Sequence, residues 1–448
     1  MEQDYLTTQT PGKALLIFAL PMITGNLFQQ TYTMADSAIV GRFVGEGALA
    51  AVGASYALTN IFICVAIGGG VGSSVVVSRY FGAREYRKMK SAVFTALLTF
   101  LVVSILLGGI GLVCSEGILQ LLKTPPDVLD MAVDYLQIYF LGLPFLFMYN
   151  VLSSMFNALG KSRVPLYFLI FSSVFNVVLD VILVTRFSMG VTGVAWATLI
   201  AQGISAVMSF FVFLRLIHHL SQEKSSVFQL RELGSMTRIA LPSILQQSTV
   251  SIGMMLVQSV VNSFGSQALA GFSAGMRIES ICVVPMSGIG NALSSYTAQN
   301  IGAGKPDRVP EGYRSANRLI LLIALGLMLV LEIFHAPLIR LFLGNEGTAT
   351  AVQTGQDYLT FIGFFFAMVG FKMAVDGILR GAGDMKWFTV ANLVNLTLRV
   401  TLSVTLAPKV GIGMVWWPVP MGWFVNWAIS YRQYRTGHWR QIYQTKKG

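Results

Sequence analysis

Two aspartates lie inside apolar stretches of the chain, where a carboxylate is costly. Asp36 ends a run without charged residues that begins at Ala14, and Asp180 ends the motif FNVVLD. A charged side chain at the depth of a bilayer costs a few kcal/mol or more, so such residues are seldom kept without a use. Each aspartate precedes an arginine, Arg42 or Arg186, by six residues. At 1.5 Å per residue, both should lie roughly 9 Å inside the end of a helix.

Polar residues accompany Asp180. Asn176 lies four residues earlier and therefore on the same helix face, and Thr198 lies inside the next apolar stretch. We predict that Asp36, Asn176, Asp180 and Thr198 form one polar cluster. A carboxyl group withdrawn from water in this way can take up and release a proton near neutral pH, as proton transport requires. The alternative is that both aspartates reach the membrane interface and take no part in a mechanism.

The composition indicates where these residues lie. Hydrophobic residues make up 54% of the chain and charged residues 11%, against roughly 25% charged residues in a typical soluble domain. Apolar runs of roughly 20 residues recur, which is the length that spans a bilayer as helix. Lipid offers no partners to backbone groups, so the spans should be helical. We predict an all-α polytopic membrane protein, and we interpret the net charge of +11 as an orientation signal rather than a nucleic-acid surface.

Charge clusters, Gly and Pro breaks and apolar length predict twelve transmembrane helices. The predicted spans are 14 to 40, 48 to 78, 91 to 113, 133 to 157, 164 to 185, 191 to 217, 237 to 262, 268 to 299, 315 to 337, 357 to 380, 387 to 407 and 411 to 431. Pro21 lies within the first span, where a proline frees a carbonyl and permits a bend. Pro242, at the matching point of the seventh span, marks either a bend or the first turn of a helix.

The basic residues predict the orientation. Most of the 31 Lys and Arg residues fall in one alternate set of loops and in the termini. The other loops carry only Arg42, Lys123, Arg186, Arg340 and Lys409. Because Lys and Arg favour the cytoplasmic side, we expect both termini in the cytoplasm. We expect a multi-pass protein of a bacterial-type cytoplasmic (plasma) membrane.

An internal repeat divides the chain into halves of six spans. ALP at 19–21 recurs at 240–242, and VTGVAW at 191–196 corresponds to GIGMVW at 411–416. An even number of spans gives both halves one orientation, so they should be related by a pseudo-two-fold axis along the membrane normal, as in many transporters.

The repeat also predicts the domain organisation. We expect an N-terminal lobe at 1–217, a cytoplasmic linker at 218–236, and a C-terminal lobe with a cytoplasmic tail at 237–448. This architecture suits a transporter whose substrate path lies between two lobes.

The second half does not repeat the polar cluster. At the repeat offset Asp36 corresponds to Val257, and Asn176 and Asp180 correspond to Arg399 and Ser403. Ion coupling should therefore belong to the first lobe. The second half has charges of its own, for which we predict mutual pairing between helices: Arg277, Glu279, Lys372, Asp376 and Arg399.

Several motifs in order along nearly the whole chain resemble the multidrug and toxic compound extrusion (MATE) family. They are LPMITGNLFQQTYTMADSAIVGRFVGEGALAAVG, GGGVGSSVVVSRYFGAR, NALGKSRVP, FNVVLD, MGVTGVAWAT, QNIGAGK and LRGAGD. The resemblance implies a cation-coupled antiporter of twelve helices in two six-helix lobes, which exports amphipathic and often cationic organic compounds.

The resemblance also implies site residues. The ion-coupling positions of the family fall on Asp36, Asn176, Asp180, Thr198 and Tyr135. The asparagine that usually precedes the first aspartate is replaced here by Thr33.

One branch of the family places a glutamate in the seventh helix and binds sodium there. The seventh span of this chain has no acid, only Gln246, Gln247 and Gln258, so the proton-coupled branch fits better. Sodium stays open, because Asp36, Asn176, Asp180 and Thr198 also offer oxygen ligands to a hard cation.

We therefore expect a proton or sodium antiporter for small cationic amphipathic molecules, in contact with membrane lipids, monomeric, without a cofactor, a resident metal or a nucleic-acid partner. Protonation of Asp36 and Asp180 should lower the affinity for a cationic drug and change the packing near Pro21. Further candidates line the substrate path: Gln30, Tyr32, Asn157, Gln246 and Arg399.

Two other classes of function are alternatives to drug export. A flippase for a lipid-linked sugar, or an exporter of an anionic metabolite, would require basic residues facing the cavity. An enzyme finds little support, because the intramembrane aspartates lack a partnering His, a metal-ligand set and a nucleophile motif.

Overall fold

The computed structural model describes residues 4–122, 124–344 and 347–444, and these residues form helices and no strand. Lys123, one of the predicted outer basic residues, lies outside the described residues, as do 1–3 and 445–448 of the predicted cytoplasmic termini. The helices are α1 Tyr5–Thr8, α2 Pro11–Ile39, α3 Glu46–Gly82, α4 Tyr86–Leu121, α5 Pro126–Ala158, α6 Arg163–Thr185, α7 Gly190–Leu220, α8 Leu230–Asn262, α9 Ser266–Gly302, α10 Arg308–Leu343, α11 Ala349–Gly363, α12 Phe366–Ala382, α13 Met385–Val410, α14 Gly413–Trp416, α15 Pro418–Arg435 and α16 His438–Gln444. A π-helical turn, Val40–Val44, continues α2.

Ten of these helices are long and apolar enough to cross a membrane. The pair α11 and α12 is bent by 53° at its break and counts as an eleventh span if taken together. The predicted span at 411 to 431 corresponds to α14 and α15, where Pro418, Pro420 and the buried polar Asn426 make the stretch less apolar. Large apolar side chains such as Leu106 and Val113 are exposed, as expected of surfaces that face lipid. The prediction of an all-α polytopic membrane protein is confirmed.

The chain forms two compact units. One, the first-half unit, is Thr24–Ile244; the other, the second-half unit, combines Met1–Ile23 with Leu245–Gly448. The helices α2 and α8 therefore each contribute residues to both units, and in each helix the change comes two residues after a proline, Pro21 or Pro242.

Two features of the units differ from the sequence predictions. The division drawn from the repeat assigns all of 1–217 to one lobe, whereas α1 and the first part of α2 pack within the second-half unit. Pro242 lies more than three turns inside α8, which begins at Leu230. The interpretation of this proline as part of a first helical turn is therefore wrong.

In the first-half unit, α3 packs closely on the first part of α8. A Cβ atom on Gly68 would lie 2.6 Å from the backbone of Ile244, and one on Gly72 would lie 2.5 Å from the backbone of Ala240. Small residues four apart let two helices approach to backbone contact, as is common in membranes.

The polar segment before α8 is attached to the base of α4 in the same unit. Lys90 Nζ donates to the carbonyl of Glu223 at 3.0 Å, and the amide of Gln229 donates to Thr95 Oγ1 at 3.0 Å. In the second-half unit, α1 is held similarly: Lys305 Nζ donates to the carbonyl of Thr7 at 3.0 Å. Each unit thus binds a segment that immediately precedes a long helix.

Candidate functional site

Three helices of the first-half unit supply the predicted polar cluster. Asp36 lies in the last turn of α2, Asn176 and Asp180 lie on α6, and Thr198 lies in the first part of α7. The spacing of four residues places Asn176 and Asp180 on one face of α6. Both are buried, and Asp180 is 0% exposed. Asp180 is therefore withdrawn from solvent, as the predicted polar cluster requires.

Asn176 joins the cluster through its amide. One orientation of the Asn176 amide gives both its nitrogen and its oxygen a hydrogen-bond partner. In this orientation the nitrogen donates to Asp180 Oδ2 at 3.1 Å and contacts the hydroxyl of Tyr32. Its oxygen then accepts from the backbone amide of Thr198 at 3.0 Å and from Oγ1 of the same residue at 3.3 Å. The Thr198 hydroxyl is also within 3.1 Å of the carbonyl of Val194. Asn176 thus fixes one carboxylate oxygen relative to α2 and α7.

The carboxyl groups of Asp36 and Asp180 lie within hydrogen-bonding reach of each other. Asp36 Oδ1 and Asp180 Oδ1 are both buried, and no donor among the described residues pairs with either atom. Within the described chain, no Lys, Arg or His nitrogen lies within 4.0 Å of either carboxylate. Two buried carboxylates in contact repel each other unless they share a proton or bind a cation. The arrangement can therefore hold a proton or a small cation.

Two tyrosines border this carboxyl pair. Tyr32, predicted as part of the substrate path, contacts Asn176 of the cluster through its hydroxyl group. Tyr135 on α5 lies close enough to Asp36 and Asp180 to interact with both electrostatically. A cavity of about 20 Å³ lies between Tyr135 and Thr198, and a space of this size accommodates one water molecule.

Other predicted residues of the first half lie apart from this cluster. Thr33 is exposed, and its hydroxyl donates to the carbonyl of Gln29 at 2.9 Å, so it takes no part in the setting of Asp36. Gln30 is half-buried on α2. Asn157 lies in the last turn of α5, at the far end of that helix from Tyr135.

The second-half unit contains a different buried polar network, which we call the lysine network (Lys372, Asp376, Asn392, Asn426 and Ser430). Lys372 Nζ lies 3.0 Å from Asp376 Oδ2 and 3.2 Å from Asn392 Oδ1. Ser430 donates to Asp376 Oδ1 at 2.7 Å, and Asn426 donates to Asn392 Oδ1 at 3.1 Å. The ammonium group therefore lies among oxygen atoms from α12 and α13, and its charge is balanced within the protein.

Gln246 and Arg399, both predicted as substrate-path residues, contact buried polar groups of this unit. Gln246 Nε2 lies 3.4 Å from Asn392 Oδ1, at the edge of the lysine network. Arg399 on α13 interacts electrostatically with Glu279 on α9, which accepts a hydrogen bond from Tyr358 on α11.

The second-half charges were predicted to pair between helices. Glu279 and Arg399 interact electrostatically across two helices, but among the described residues they form no ion pair within 4.0 Å. Lys372 and Asp376 pair along one helix instead, because they are four residues apart on α12. Arg277 is exposed.

Sequence reasoning missed three members of the lysine network: Asn392, Asn426 and Ser430. A signal was present, since Asn426 and Ser430 are polar residues four apart in an apolar stretch and must share a face. Their partner on another helix could be found only from the packing.

Comparison with known proteins identifies relatives along the chain. The family model MatE matches residues 21–182 and 242–405, once in each half of the repeat. The chain is 32% identical over 434 residues to the probable multidrug resistance protein YpnP of Bacillus subtilis, and the match covers 96% of each protein. It is 26% identical over 340 residues to an FAD transporter of Shewanella oneidensis, covering 74% of each.

Solved structures share this fold. An outward-facing conformation of a multidrug resistance MATE family transporter of the MOP superfamily matches with a TM-score of 0.89, covering 99% of each chain at 22% identity. A crystal structure of MATE in the bent conformation matches with a TM-score of 0.90, covering 100% of each chain at 21% identity.

Proposed function

The chain belongs to the MatE family of multidrug and toxic compound extrusion transporters, and from that premise we propose that it is a proton-coupled antiporter that exports amphipathic, cationic organic compounds. Its relatives include proteins named multidrug resistance and multidrug export proteins. Such proteins move substrates rather than convert them, so no enzymatic step is proposed.

The observation that carries this proposal is the contact between the carboxyl groups of Asp36 and Asp180. A shared proton lets one carboxyl group donate to the other, which removes the repulsion between them. When that proton leaves, negative charge accumulates in a buried region and a cation is favoured. The proton and the cationic substrate therefore compete to neutralise the same buried negative charge. This competition is sufficient for exchange if the two ligands prefer different conformational states of the transporter.

A proton suits this site better than sodium as the coupling ion. The nitrogen of Asn176 already donates to Asp180 Oδ2, which leaves that oxygen with less negative charge for a metal cation than an oxygen without a donor. The remaining oxygens come from two aspartates, with hydroxyl groups of Thr198 and Tyr32 nearby. Sodium, a hard cation, could use the same oxygen atoms, and it is the alternative coupling ion.

The transport cycle that we propose alternates between an outward-open and an inward-open form. The prolines Pro21 and Pro242 supply the points at which α2 and α8 can bend, because a proline leaves one carbonyl of the helix without its usual partner. We further propose that both termini are cytoplasmic and that the protein works as a monomer in a bacterial-type plasma membrane.

The test is transport by the purified protein in liposomes, with pH and sodium gradients imposed separately. We expect ethidium uptake that is driven by a proton gradient directed out of the liposome, and no uptake when only a sodium gradient is imposed. Asp36→Asn should strongly reduce the response to pH, while Asp130→Asn, which alters an exposed carboxylate on α5, should leave it unchanged. Undiminished pH-driven transport by Asp36→Asn would show that Asp36 does not couple transport to the proton.

A second candidate is the export of an anionic metabolite, since one relative is named an FAD transporter. Such a substrate would need free positive charge. The charge of the buried Lys372 is compensated by Asp376 at 3.0 Å, and the carboxyl group of Glu279 lies near enough to Arg399 to interact with it electrostatically. This pairing favours the cationic substrate. Loss of an envelope glycan or an exported anion on gene deletion, with unchanged drug sensitivity, would favour the second candidate.

A further inference from the structure

A large groove of the second-half unit lies apart from both polar clusters. It has a volume of about 710 Å³ and lies between the first turns of α10 and the last turns of α15. We call it the arginine groove, and its defining residues are Arg314, Arg318, Arg435, Trp427, Tyr431 and Tyr434. We propose that the arginine groove binds one anionic glycerophospholipid by its headgroup.

The positive charges of the groove favour the binding of an anion. Arg314 and Arg318 are four residues apart and so lie on one face of α10, while Arg435 is the last residue of α15. None of the three is within 4.0 Å of a carboxylate of the described residues. The nearby Arg440, by contrast, pairs with Asp307 at 3.2 Å. Three unpaired guanidinium groups around one cavity repel each other, and a phosphate is the group that their geometry matches best.

The wall of the groove is aromatic and ordered by stacking. The rings of Trp427 and Tyr431 are stacked with centroids 5.1 Å apart, and the ring of Tyr434 lies 5.0 Å from that of Tyr313. Trp and Tyr are enriched at the level of lipid headgroups, where a ring with one polar edge fits.

Two buried polar atoms at the groove have no hydrogen-bond partner among the described residues. Asn317 and Trp427 approach the Tyr313 hydroxyl, yet Asn317 Oδ1 and Trp427 Nε1 complete no hydrogen bond with the described residues. Buried polar atoms normally have partners. A phosphate oxygen would accept from Trp427 Nε1, and a hydroxyl of a glycerol headgroup would donate to Asn317 Oδ1.

The position of the arginines selects a lipid over a free phosphate. Arg314 and Arg318 lie roughly 9 and 15 Å along α10 from its first residue, directly before an apolar run that continues with Leu321 and Leu322. The Leu321 side chain lines the groove and is 44% exposed, and Phe424, one turn before Trp427 on α15, is 55% exposed. Apolar surface thus continues from the charged end of the groove towards the middle of the helices. An acyl chain would cover it, which a soluble phosphate cannot do.

The test is native mass spectrometry of the detergent-purified protein titrated with dioleoylphosphatidylglycerol or dioleoylphosphatidylcholine. We expect one tight phosphatidylglycerol adduct and at least tenfold weaker binding of phosphatidylcholine. Each basic residue near a membrane surface contributes about fivefold in affinity, so replacing all three arginines by Gln should weaken phosphatidylglycerol binding by on the order of 100-fold. Replacing all three by Lys should retain most of the binding.

The matched control is Arg432→Gln, which alters an exposed arginine of α15 that does not line the groove. It should bind phosphatidylglycerol like the parent. If the triple Gln variant fails to fold, Arg318→Gln alone should still show a loss of about fivefold. Three results would overturn the proposal: phosphatidylglycerol binding that is unchanged in the triple Gln variant or in Arg318→Gln, equal binding of both lipids, or displacement of the lipid by millimolar glycerol phosphate, which would identify a free-phosphate site.

Discussion

The ammonium nitrogen of Lys372 lies 3.0 Å from Asp376 Oδ2, one helical turn away, and both side chains are more than nine-tenths buried. In the first-half unit the buried Asp180 faces another acid, Asp36, instead of a base. An acid paired with a base keeps a constant charge, whereas two acids in contact change charge when a proton or cation arrives. The two halves of one repeat thus have different electrostatic roles.

Replacing Lys372 by Met should destabilise the second-half unit. The change leaves Asp376 buried without a counter-charge, and breaking a buried pair from one side costs about 3–5 kcal/mol. Thermal unfolding in detergent measures the effect. The control is Lys88→Met, because Lys88 and Glu85 form an exposed pair at 2.9 Å, and such pairs contribute at most about 1 kcal/mol. Equal losses in the two variants would contradict the role given to the buried pair. The double variant Lys372→Met with Asp376→Leu should recover much of the loss.

Asp36 and Asp180 should act as one unit in a double-mutant cycle. We expect Asp36→Asn and Asp180→Asn each to reduce pH-driven efflux by roughly 5- to 150-fold, the range of coupling between two ligands. Because each change removes the same shared proton site, pH-driven efflux by the double variant should be no lower than efflux by the more impaired of the two single variants. Ethidium efflux from cells without their own pumps measures this. Losses that multiply in the double variant would mean that the two carboxyl groups act independently.

Tyr32→Phe should have a smaller effect on coupling than loss of either aspartate. The ring stays in place, and the polar contacts of its hydroxyl with the Asn176 amide and with Thr198 are lost. A single hydrogen bond contributes about 0.5–1.5 kcal/mol, so efflux should fall by no more than about tenfold. Tyr56→Phe is the control, since Tyr56 is 63% exposed. A loss as large as that of Asp36→Asn would make the Tyr32 hydroxyl part of the ion site itself.

The sequence predicted the membrane class and most of the long apolar helices, because both depend on apolar length. It also predicted that Asp36, Asn176, Asp180 and Thr198 could meet, since helical spacing and depth are readable from one chain. The bend of 53° between α11 and α12 was not predicted, because no proline marks the break at 364–365. The bend is a property of packing rather than of local sequence.

The assignment of helix segments to the two compact units could also not be predicted from the sequence. A repeat shows which segments are equivalent, but it carries no information about the unit on which the first part of a helix packs. For α8 that information lies in Gly68 and Gly72 of α3, whose missing side chains matter only once Ile244 and Ala240 are placed against them.

Gly72→Ala should therefore destabilise the first-half unit, whereas Gly109→Ala should not. A Cβ atom at Gly72 would lie 2.5 Å from the backbone of Ala240, so the helices must separate, and such overpacking costs about 1–3 kcal/mol. A Cβ atom at Gly109 on α4 meets nothing within 4 Å, and alanine in a helix gains up to about 1 kcal/mol over glycine. The two substitutions should thus shift the unfolding temperature in opposite directions.

The two nearest atoms to that new Cβ are the Cα and amide nitrogen of Ala240, not its side chain. Adding Ala240→Gly to Gly72→Ala should consequently restore little stability, because the backbone of α8 stays in the way. Full rescue by Ala240→Gly, or unfolding of Gly72→Ala at the same temperature as Gly109→Ala, would mean that α3 and α8 do not pack at backbone distance.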